Sequence, residues 1–410
     1  MEPADRIDHQ SWMTAPETRA VFAALTVDGA MVRFVGGCVR DSVLGRPIKD
    51  IDVATEDRPE KVVQLLDRAG LKSIPTGIQH GTVTALSGHR PYEVTTLRKD
   101  VETFGRHARV AFTDDWAEDA ARRDFTLNAL YCDPDGTLYD PVNGLVDARA
   151  GRVRFVGDPA RRIKEDRLRI LRFFRFHAWF GKGELDPNGL AACRAGADGI
   201  KELSAERVRA EFLRLLEAPD PAPIVEIMSG QGIFADVLPE AARFARLDRM
   251  VKIECCLGRN NPVRRLGAVL DAKGEDIPAI SDRLRLSNAE RDRLVNLFDC
   301  VTVLDPSMSE VEARAAHYRL GDALFMDAAL QCWADGGADP DASVWRTFID
   351  AAERRERPNF PLRGADALAL GVPAGPQVGA LLGRVEEWWI EGDFRAGRDA
   401  CLRELERTVA

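Results

Sequence analysis

The feature that most limits what this chain can fold into is a change of texture near Gly151. Before it, short β-like runs alternate with helical ones. After it, from Asp158-Pro159 to the C-terminus, the apolar spacing is almost wholly helical. In the first part, residues 31–35 (MVRFV) read as a strand broken by Gly36-Gly37, and CVRDSVLG reads as a short helix. Residues 48–54 read as a second strand, and 58–70 as a helix closed by Gly70. GTVTALSGHRPYEVTTL, 81–97, predicts a hairpin turned at Ser87-Gly88-His89. Residues 115–131 look helical, and DPVNGLVD, 140–147, is a turn-rich loop. Asp158-Pro159 is an N-cap followed by proline at the first helical position, a strong start signal. Beyond it the helical pattern is interrupted near 181–189, 218–223, 257–262, 272–278, 335–341 and 357–364. A chain of 410 residues is too long for one ordinary core and implies two to four packed units. The expectation is a small mixed α/β head followed by a long all-helical part.

Several function classes are disfavoured at once. No run of about 18 apolar residues exists, so no membrane span is expected. The start, MEPADRIDHQSW, has acids and no apolar core, unlike a secretory signal. Eight scattered cysteines without a CxxC pair suit reduced thiols in the cytoplasm better than a disulfide framework or a zinc site, and the six histidines show no ligand spacing. The net charge of −9 argues against nucleic acid only on average. RRIKEDRLRILRFFR, 161–175, sets seven bases against two acids, so an acidic protein carries one strongly basic helix fit for a polyanion.

Within the head, KDIDVAT (49–55) sets Asp50 and Asp52 one residue apart in a strand-like run, where alternate residues share a face. Two other DxD pairs, Asp133/Asp135 and Asp339/Asp341, enclose a proline and read as turns. A bare DxD is usually a solvated edge strand. Here GGCVRD, 36–41, stands just upstream: a strand ending in Gly36-Gly37 and opening a helix presents backbone N–H groups to phosphate, with Arg40 adding a cation. Phosphate donors opposite paired carboxylates make a site for Mg²⁺, which binds through a few carboxylates and substrate phosphates and can activate a hydroxyl and stabilise leaving pyrophosphate. Glu93 in YEVTTLR shares a strand face with Thr95 and Leu97 and is the candidate third carboxylate.

GGCVRDSVLGRPIKDIDVAT resembles the catalytic signature of the class II tRNA nucleotidyltransferases and bacterial poly(A) polymerases, members of the polymerase-β-like nucleotidyltransferase superfamily. TGIQHGTVTAL, EVTTLRKD, RRDFTLNAL, YDPVNGLVD and EDRLRILRFFRF continue the match in order over residues 31–180. Weaker echoes follow at SAERVRAEF and LRGADALALGVPAGPQVGALL, while 230–350 carries none. The resemblance implies an α+β chain: a nucleotidyltransferase head with a mixed sheet (1–150), a helical neck that recognises the nucleobase (151–225), a helical body (226–350) and a helical tail that binds tRNA (351–410). It implies attack of an RNA 3′-hydroxyl on the α-phosphorus of CTP or ATP, with release of pyrophosphate and two-metal-ion catalysis. Asp50 and Asp52 would hold Mg²⁺, with Glu93 as third catalytic carboxylate; Gly36, Gly37 and Arg40 would hold the triphosphate.

RRDFTLNAL is read as helical, which puts Asp124 and Asn128 on one face; in the family this motif grips ribose and phosphates, so Arg123, Asp124 and Asn128 carry over. In EDRLR, Asp166 and Arg169 stand three apart on the predicted helix, where an acceptor and a forked donor could pair with cytosine or adenine and not with uracil or guanine. The family uses this position as a protein template, with Glu165 steadying the arginine and Arg172 and Arg175 close by. Taken alone, the same residues would be a surface salt bridge worth a few tenths of a kcal/mol. The polar segment 98–114 stands where a flexible loop helps relatives switch from C to A, which favours full CCA addition. No His-Asp phosphohydrolase motif follows the neck. Cys38, where a small residue is needed, reads as packing. The expected activity is addition of C, C and A to the tRNA 3′ end. A poly(A) polymerase, a CC- or A-only enzyme, and a retired RNA-binding fold remain alternatives. TGIQHGTVT stands where the first of these would carry an arginine-rich element, and the intact site residues disfavour the last.

Overall fold

The computed structural model describes residues 1–104, 107–300, 303–337, 339 and 342–409; of residues 76, 100–104 and 107–110 it describes the backbone alone. The chain divides into two compact units, Met1–Pro239 and Glu240–Ala410. Asp341, part of the third DxD pair, lies outside the described residues.

In the first unit, strands β1 (Asp5–Arg6), β2 (Val32–Val35), β3 (Asp52–Thr55), β4 (Lys72–Gly77), β5 (Thr82–Ser87), β6 (Arg90–Thr96), β7 (Arg98–Phe104), β8 (His107–Phe112), β9 (Tyr131–Cys132) and β10 (Thr137–Tyr139) follow one another. Eight of them form one mixed sheet in the order β1-β10-β9-β2-β3-β6-β5-β4. β3 and β6 run parallel and the other neighbours antiparallel. The hairpin β5–β6 turns at Gly88 and His89, both at positive φ (55° and 67°), the backbone that a two-residue turn requires. On one face of the sheet Phe34, Val53, Val83 and Val94 pack with Val21, Leu25, Val62 and Leu66 from the Pro16–Thr26 and Pro59–Arg68 helices. On the other, Val35, Ala54, Leu97, Trp116 and Tyr131 form a second cluster. Among the described residues β7 and β8 pair only with each other, so the backbone of the polar 98–114 segment is largely a two-stranded ribbon; the switching loop expected there reaches Gly105 and Arg106, outside the described residues.

Four expectations need correction. DPVNGLVD, read as a loop over 140–147, enters the Gly144–Ala150 helix at Gly144. The strand foreseen over 48–54 begins only at Asp52, so Asp50 lies in the irregular stretch before it. The helix foreseen over 115–131 ends at Ala121; a turn and a short 3-10 segment, Thr126–Asn128, follow, because this stretch must bend back to enter the sheet at β9. The basic 161–175 helix is two helices, Pro159–Glu165 and Leu168–Phe180, broken at Asp166. The start at Asp158 holds: its carboxylate accepts from the Arg161 N–H at 2.7 Å.

Among the described residues of the second unit, one apolar cluster gathers around Trp333, Phe325 and Trp345 and another around Trp389, Val385 and Leu405. The Glu310–Gly336 helix, for which the sequence offers no break, kinks at Gly321 (φ 71°, ψ 166°). Arg357 Nη2 donates to the Tyr318 carbonyl there at 2.6 Å, satisfying backbone that the kink frees. No helix is long and apolar enough to cross a membrane among the described residues.

Candidate active site

Asp52 opens β3 and stands in parallel register with Glu93 of β6. Val53 and Val94 belong to the first core cluster and Ala54 and Leu97 to the second, so strand alternation sets Asp52 and Glu93 together on the second face. Asp52 is half-buried, and Asp50 and Glu93 are exposed. Burial, then Glu93, with Asp50 adding to them, push the Asp52 carboxyl up to about 6 against the pull of Arg123 and Arg40. A site that raises a carboxylate in this way is short of positive charge. Among the described residues no three His, Cys, Asp or Glu side chains are gathered closely enough to hold an ion by themselves. The donors are carboxylate oxygens with no thiol or imidazole among them. That set fits a hard divalent cation that takes one or two protein carboxylates and completes its shell from substrate phosphates and water.

Beside them, β2 ends on Val35 and Gly36 takes φ 73°, ψ −124°, which only glycine adopts readily. A Cβ at Gly36 would lie 3.5 Å from Arg123 Nη1 and 3.9 Å from Asp52 Oδ2, so the backbone passes directly against both. The Gly37–Val43 helix then brings Arg40 back toward the site. Its guanidinium is buried, donates from Nε to Asp41 Oδ1 (2.9 Å) and from Nη1 to Asn128 Oδ1 (2.6 Å), and lies 3.9 Å from the Phe180 ring centroid. Cys38 is buried, its thiol pushed up to about 12 chiefly by burial, as a packing residue would be.

Asp124 and Asn128 do not share an α-helix, yet they meet: Asn128 Nδ2 donates to Asp124 Oδ1 at 3.1 Å. Arg172 closes on the other oxygen through Nε (2.9 Å) and Nη2 (2.5 Å). Burial raises the Asp124 carboxyl, but the Arg172 guanidinium and these hydrogen bonds outweigh it and hold it at about 2. Arg172 Nη1 also reaches Glu211 Oε1 (3.4 Å), and Arg175 Nε donates to Glu211 Oε2 (2.5 Å). A continuous polar chain thus runs from Arg40 through Asn128, Asp124, Arg172 and Glu211 to Arg175. Arg123 is fixed separately by Asp119, which also accepts from Arg122 and the Tyr131 hydroxyl. Sequence reasoning named neither Asp119 nor Glu211. Asp119 stood at i−4 from Arg123, and Glu211 stood in the weak SAERVRAEF echo.

Asp166 and Arg169 do not share the one helix that the sequence predicts for them, and they form no salt bridge with each other. Asp166 is extended (φ −150°, ψ 110°) because the helix ends at Glu165. Its Oδ1 accepts from the Leu168 N–H (3.0 Å), capping the next helix, and its Oδ2 from Arg207 Nη2 (2.7 Å). Arg169 Nη1 instead donates to Glu165 Oε2 (2.7 Å) and the Arg162 carbonyl (2.9 Å), and Nη2 to the Arg122 carbonyl (3.3 Å).

A cleft of about 510 Å³ gathers part of this constellation. Gly37, Arg40, Asp50, Asp52, Arg175 and Phe180 are among the residues that line it. Gly36, Glu93, Arg123, Asp124, Asn128, Glu165, Asp166, Arg169 and Arg172 are outside that lining, joined to it by the register and hydrogen bonds above. Paired carboxylates, a glycine turn and buried arginines around an open cleft suit metal-assisted transfer of a phosphorylated group.

Two family models match the chain: the poly A polymerase head domain over residues 32–154, and a probable RNA and SrmB-binding site of polymerase A over 184–244. The mouse mitochondrial CCA tRNA nucleotidyltransferase 1 is 32% identical over 389 residues, covering 92% of this chain and 87% of that protein. The CCA-adding enzyme of Limosilactobacillus fermentum is 30% identical over 388 residues, with 94% and 95% covered. The crystal structure of the Bacillus stearothermophilus CCA-adding enzyme in complex with CTP aligns with a TM-score of 0.76 at 26% identity, covering 95% of this chain and 96% of that one. The Thermotoga maritima CCA-adding enzyme complexed with tRNA shares the fold, with a TM-score of 0.65 at 17% identity.

Proposed function

The chain belongs to the family of CCA-adding tRNA nucleotidyltransferases and class II poly(A) polymerases, and from that premise we propose how its residues divide the work. It is a nucleotidyltransferase that adds C, C and A to tRNA 3′ ends from CTP and ATP. The oxygen of the RNA 3′-hydroxyl bonds to the α-phosphorus, the bond to the bridging oxygen of the pyrophosphate breaks, and the hydroxyl proton is given up. Asp50 and Asp52 would hold a divalent cation, Mg²⁺ in our reading, with Glu93 as the third carboxylate. When bound, the metal supplies charge that favours the ionised hydroxyl and the leaving pyrophosphate.

Gly36, Gly37 and Arg40 bind the triphosphate, since close backbone and a buried guanidinium are what its charge requires. Arg123, Asp124 and Asn128 orient ribose and phosphates, and the hydroxyls of a ribonucleotide are within the reach of such short polar groups. Asp166 and Arg169 read the base edge, Glu165 holds Arg169, and Arg172 and Arg175 carry the frame behind them. The observation that carries this reading is Asp52 facing Glu93 in register beside the Gly36 turn, with its carboxyl raised to about 6. In this reading the neck (151–225), body (226–350) and tail (351–410) hold tRNA mainly through phosphates and shape. A cytoplasmic location fits eight free thiols.

The test is primer extension on a tRNA transcript lacking its 3′ CCA, with Mg²⁺ and labelled CTP, ATP or both, beside Asp50→Ala/Asp52→Ala. Three additions in the order C, C, A by the wild type and none by the double variant are expected. Two additions with CTP and none with ATP would make it a CC-adding enzyme, and long adenosine tails a poly(A) polymerase.

A further inference from the structure

We propose that Arg46 is a further substrate-binding residue, which holds the triphosphate and the departing pyrophosphate together with Arg40; this rests on the reading of Gly36, Gly37 and Arg40 as the triphosphate site. Arg46 stands six residues beyond Arg40 in GGCVRDSVLGRPIKD. The close of the Gly37–Val43 helix fixes where it lies. Gly45 takes a left-handed φ of 64°, its N–H donates to the Ser42 carbonyl (3.1 Å), and the Arg46 N–H donates to the Asp41 carbonyl (2.8 Å). This paired closure at a helix end turns the chain back on itself, and Pro47 bars any continuation of the helix. Arg46 thus returns to the cleft, which it lines with Arg40, Asp50 and Asp52.

Its guanidinium is held there by a ring and not by an acid. The Arg46 Cζ lies 4.6 Å from the Phe180 ring centroid, and the Arg40 Cζ lies 3.9 Å from the same centroid. The two charges are therefore within 8.5 Å of each other, the sum of those distances. Arg40 has Asp41 and Asn128 as partners. Among the described residues no carboxylate pairs with Arg46, which is exposed. An aromatic face attracts a guanidinium without neutralising its charge or accepting from the edge of its N–H fork. Two cations drawn to one ring repel each other, and a chain of phosphates that accepts from both relieves the repulsion. Negative charge grows on the pyrophosphate as its bond to the α-phosphorus breaks. A donor already fixed beside Arg40 therefore acts more strongly on the leaving group than on the bound nucleotide. Arg46 takes no part in the choice of base, which lies with Asp166 and Arg169 in the reading above.

The experiment uses the full chain and a tRNA transcript ending before its CCA. It measures KM for CTP, ATP and tRNA, the CTP-over-UTP ratio of kcat/KM, and the inhibition constant of pyrophosphate. Arg46→Ala is expected to raise the pyrophosphate constant and the KM for CTP and ATP together, each about fivefold to tenfold, as a charge-assisted donor is lost. The KM for tRNA and the CTP-over-UTP ratio should stay as in the wild type. Arg46→Lys should recover part of the affinity. Phe180→Leu removes the shared seat and should raise the pyrophosphate constant as well. Arg68→Ala, at an exposed position on the Pro59–Arg68 helix, should change none of these values. Unchanged pyrophosphate and CTP constants in Arg46→Ala, beside a raised KM for tRNA, would overturn the proposal and assign Arg46 to the RNA. No change in any constant would overturn it too, leaving Arg46 a cover for the ring. If Arg40→Ala leaves the pyrophosphate constant intact, the triphosphate reading has failed and the proposal falls with it. If Phe180→Leu does not fold by circular dichroism, Arg46→Ala decides alone, since its side chain is exposed.

Discussion

Each unit of the molecule contains a buried glutamate that grips two arginines, and the two devices lead to different places. In the first unit Glu211 holds Arg172 and Arg175, and Arg172 continues through Asp124 and Asn128 to Arg40 in the cleft wall. In the second, Glu254 holds Arg264 and Arg265, and Arg264 shares Asp327 with Arg293. A cavity of about 490 Å³ borders this second network, yet its arginines are matched: Arg259 with Glu353, Arg264 and Arg293 with Asp327, and Arg355 with Glu310. The first network leads to carboxylates that face one another. Burial of charge therefore does not mark the working site; imbalance of charge does. A matched network is complete as folded, whereas Asp50, Asp52 and Glu93, in the function proposed above, would gain their counter-charge only from a bound cation.

This contrast breaks most sharply at Asp52. Asp52→Ala should lower CMP incorporation by roughly 10⁴-fold or more, because the cation loses an anchor. The same change removes a repulsion, so the melting temperature should hold or rise. A variant that melts much earlier would show Asp52 to be structural. Glu254→Gln should do the reverse. It removes the carboxylate that two buried guanidiniums share, Arg264 keeping Asp327, and should cost the second unit roughly 3–5 kcal/mol in urea unfolding, while CTP binding by the folded protein stays as in the wild type. A loss below about 1 kcal/mol would mean that the network reorganises around the neutral amide.

The pH response of Asp52 sharpens the difference further. Its folded value of about 6 lies above the ordinary 3.8, so the ionised form costs the folded state stability above pH 6. That cost disappears as the pH falls from 7 toward 4, and amounts to up to about 3 kcal/mol at 1.36 kcal/mol per unit. In chelator, the wild type should thus gain stability relative to Asp52→Asn on going from pH 7 to pH 5, opposite to a salt-bridged carboxylate; parallel curves for the two proteins would refute the raised value. The smallest effect expected is that of Glu211→Gln, about 2 kcal/mol of stability, with a raised KM for both CTP and ATP. Unchanged KM values would place Glu211 with Glu254 as a structural group only.

Much of the frame was legible because it is local. The β5–β6 turn at Gly88-His89, the Asp158 cap and the close of the Pro59–Arg68 helix before Gly70 follow from backbone preferences within a few residues. The helical character of the second half followed from periodicity. The kink at Gly321 did not, since its stabilising donor, Arg357, comes from 36 residues further along, and glycine inside a helical pattern is only weakly disfavoured. The DxD pair, the glycine turn and the basic segment all announced themselves as residue types in order.

What the sequence determined by itself was the inventory of the site, its likeness to a known catalytic family, and a mixed head ahead of helices, because composition, spacing and short-range backbone preference are written in neighbouring residues. Tertiary structure alone decided the partnerships. Asp166 bonds to Arg207 and Arg169 to Glu165, although Asp166 and Arg169 stand three apart, because one helix ends at Glu165, the next begins at Leu168, and a later helix supplies Arg207. Asp124 and Asn128 meet without a helix because the chain turns there to reach β9. Asp52 acquires its raised carboxyl from burial in the folded head and then from Glu93, 41 residues away, which the parallel pairing of β3 with β6 brings alongside it. Such couplings depend on distances in space, and no local pattern in the chain encodes them.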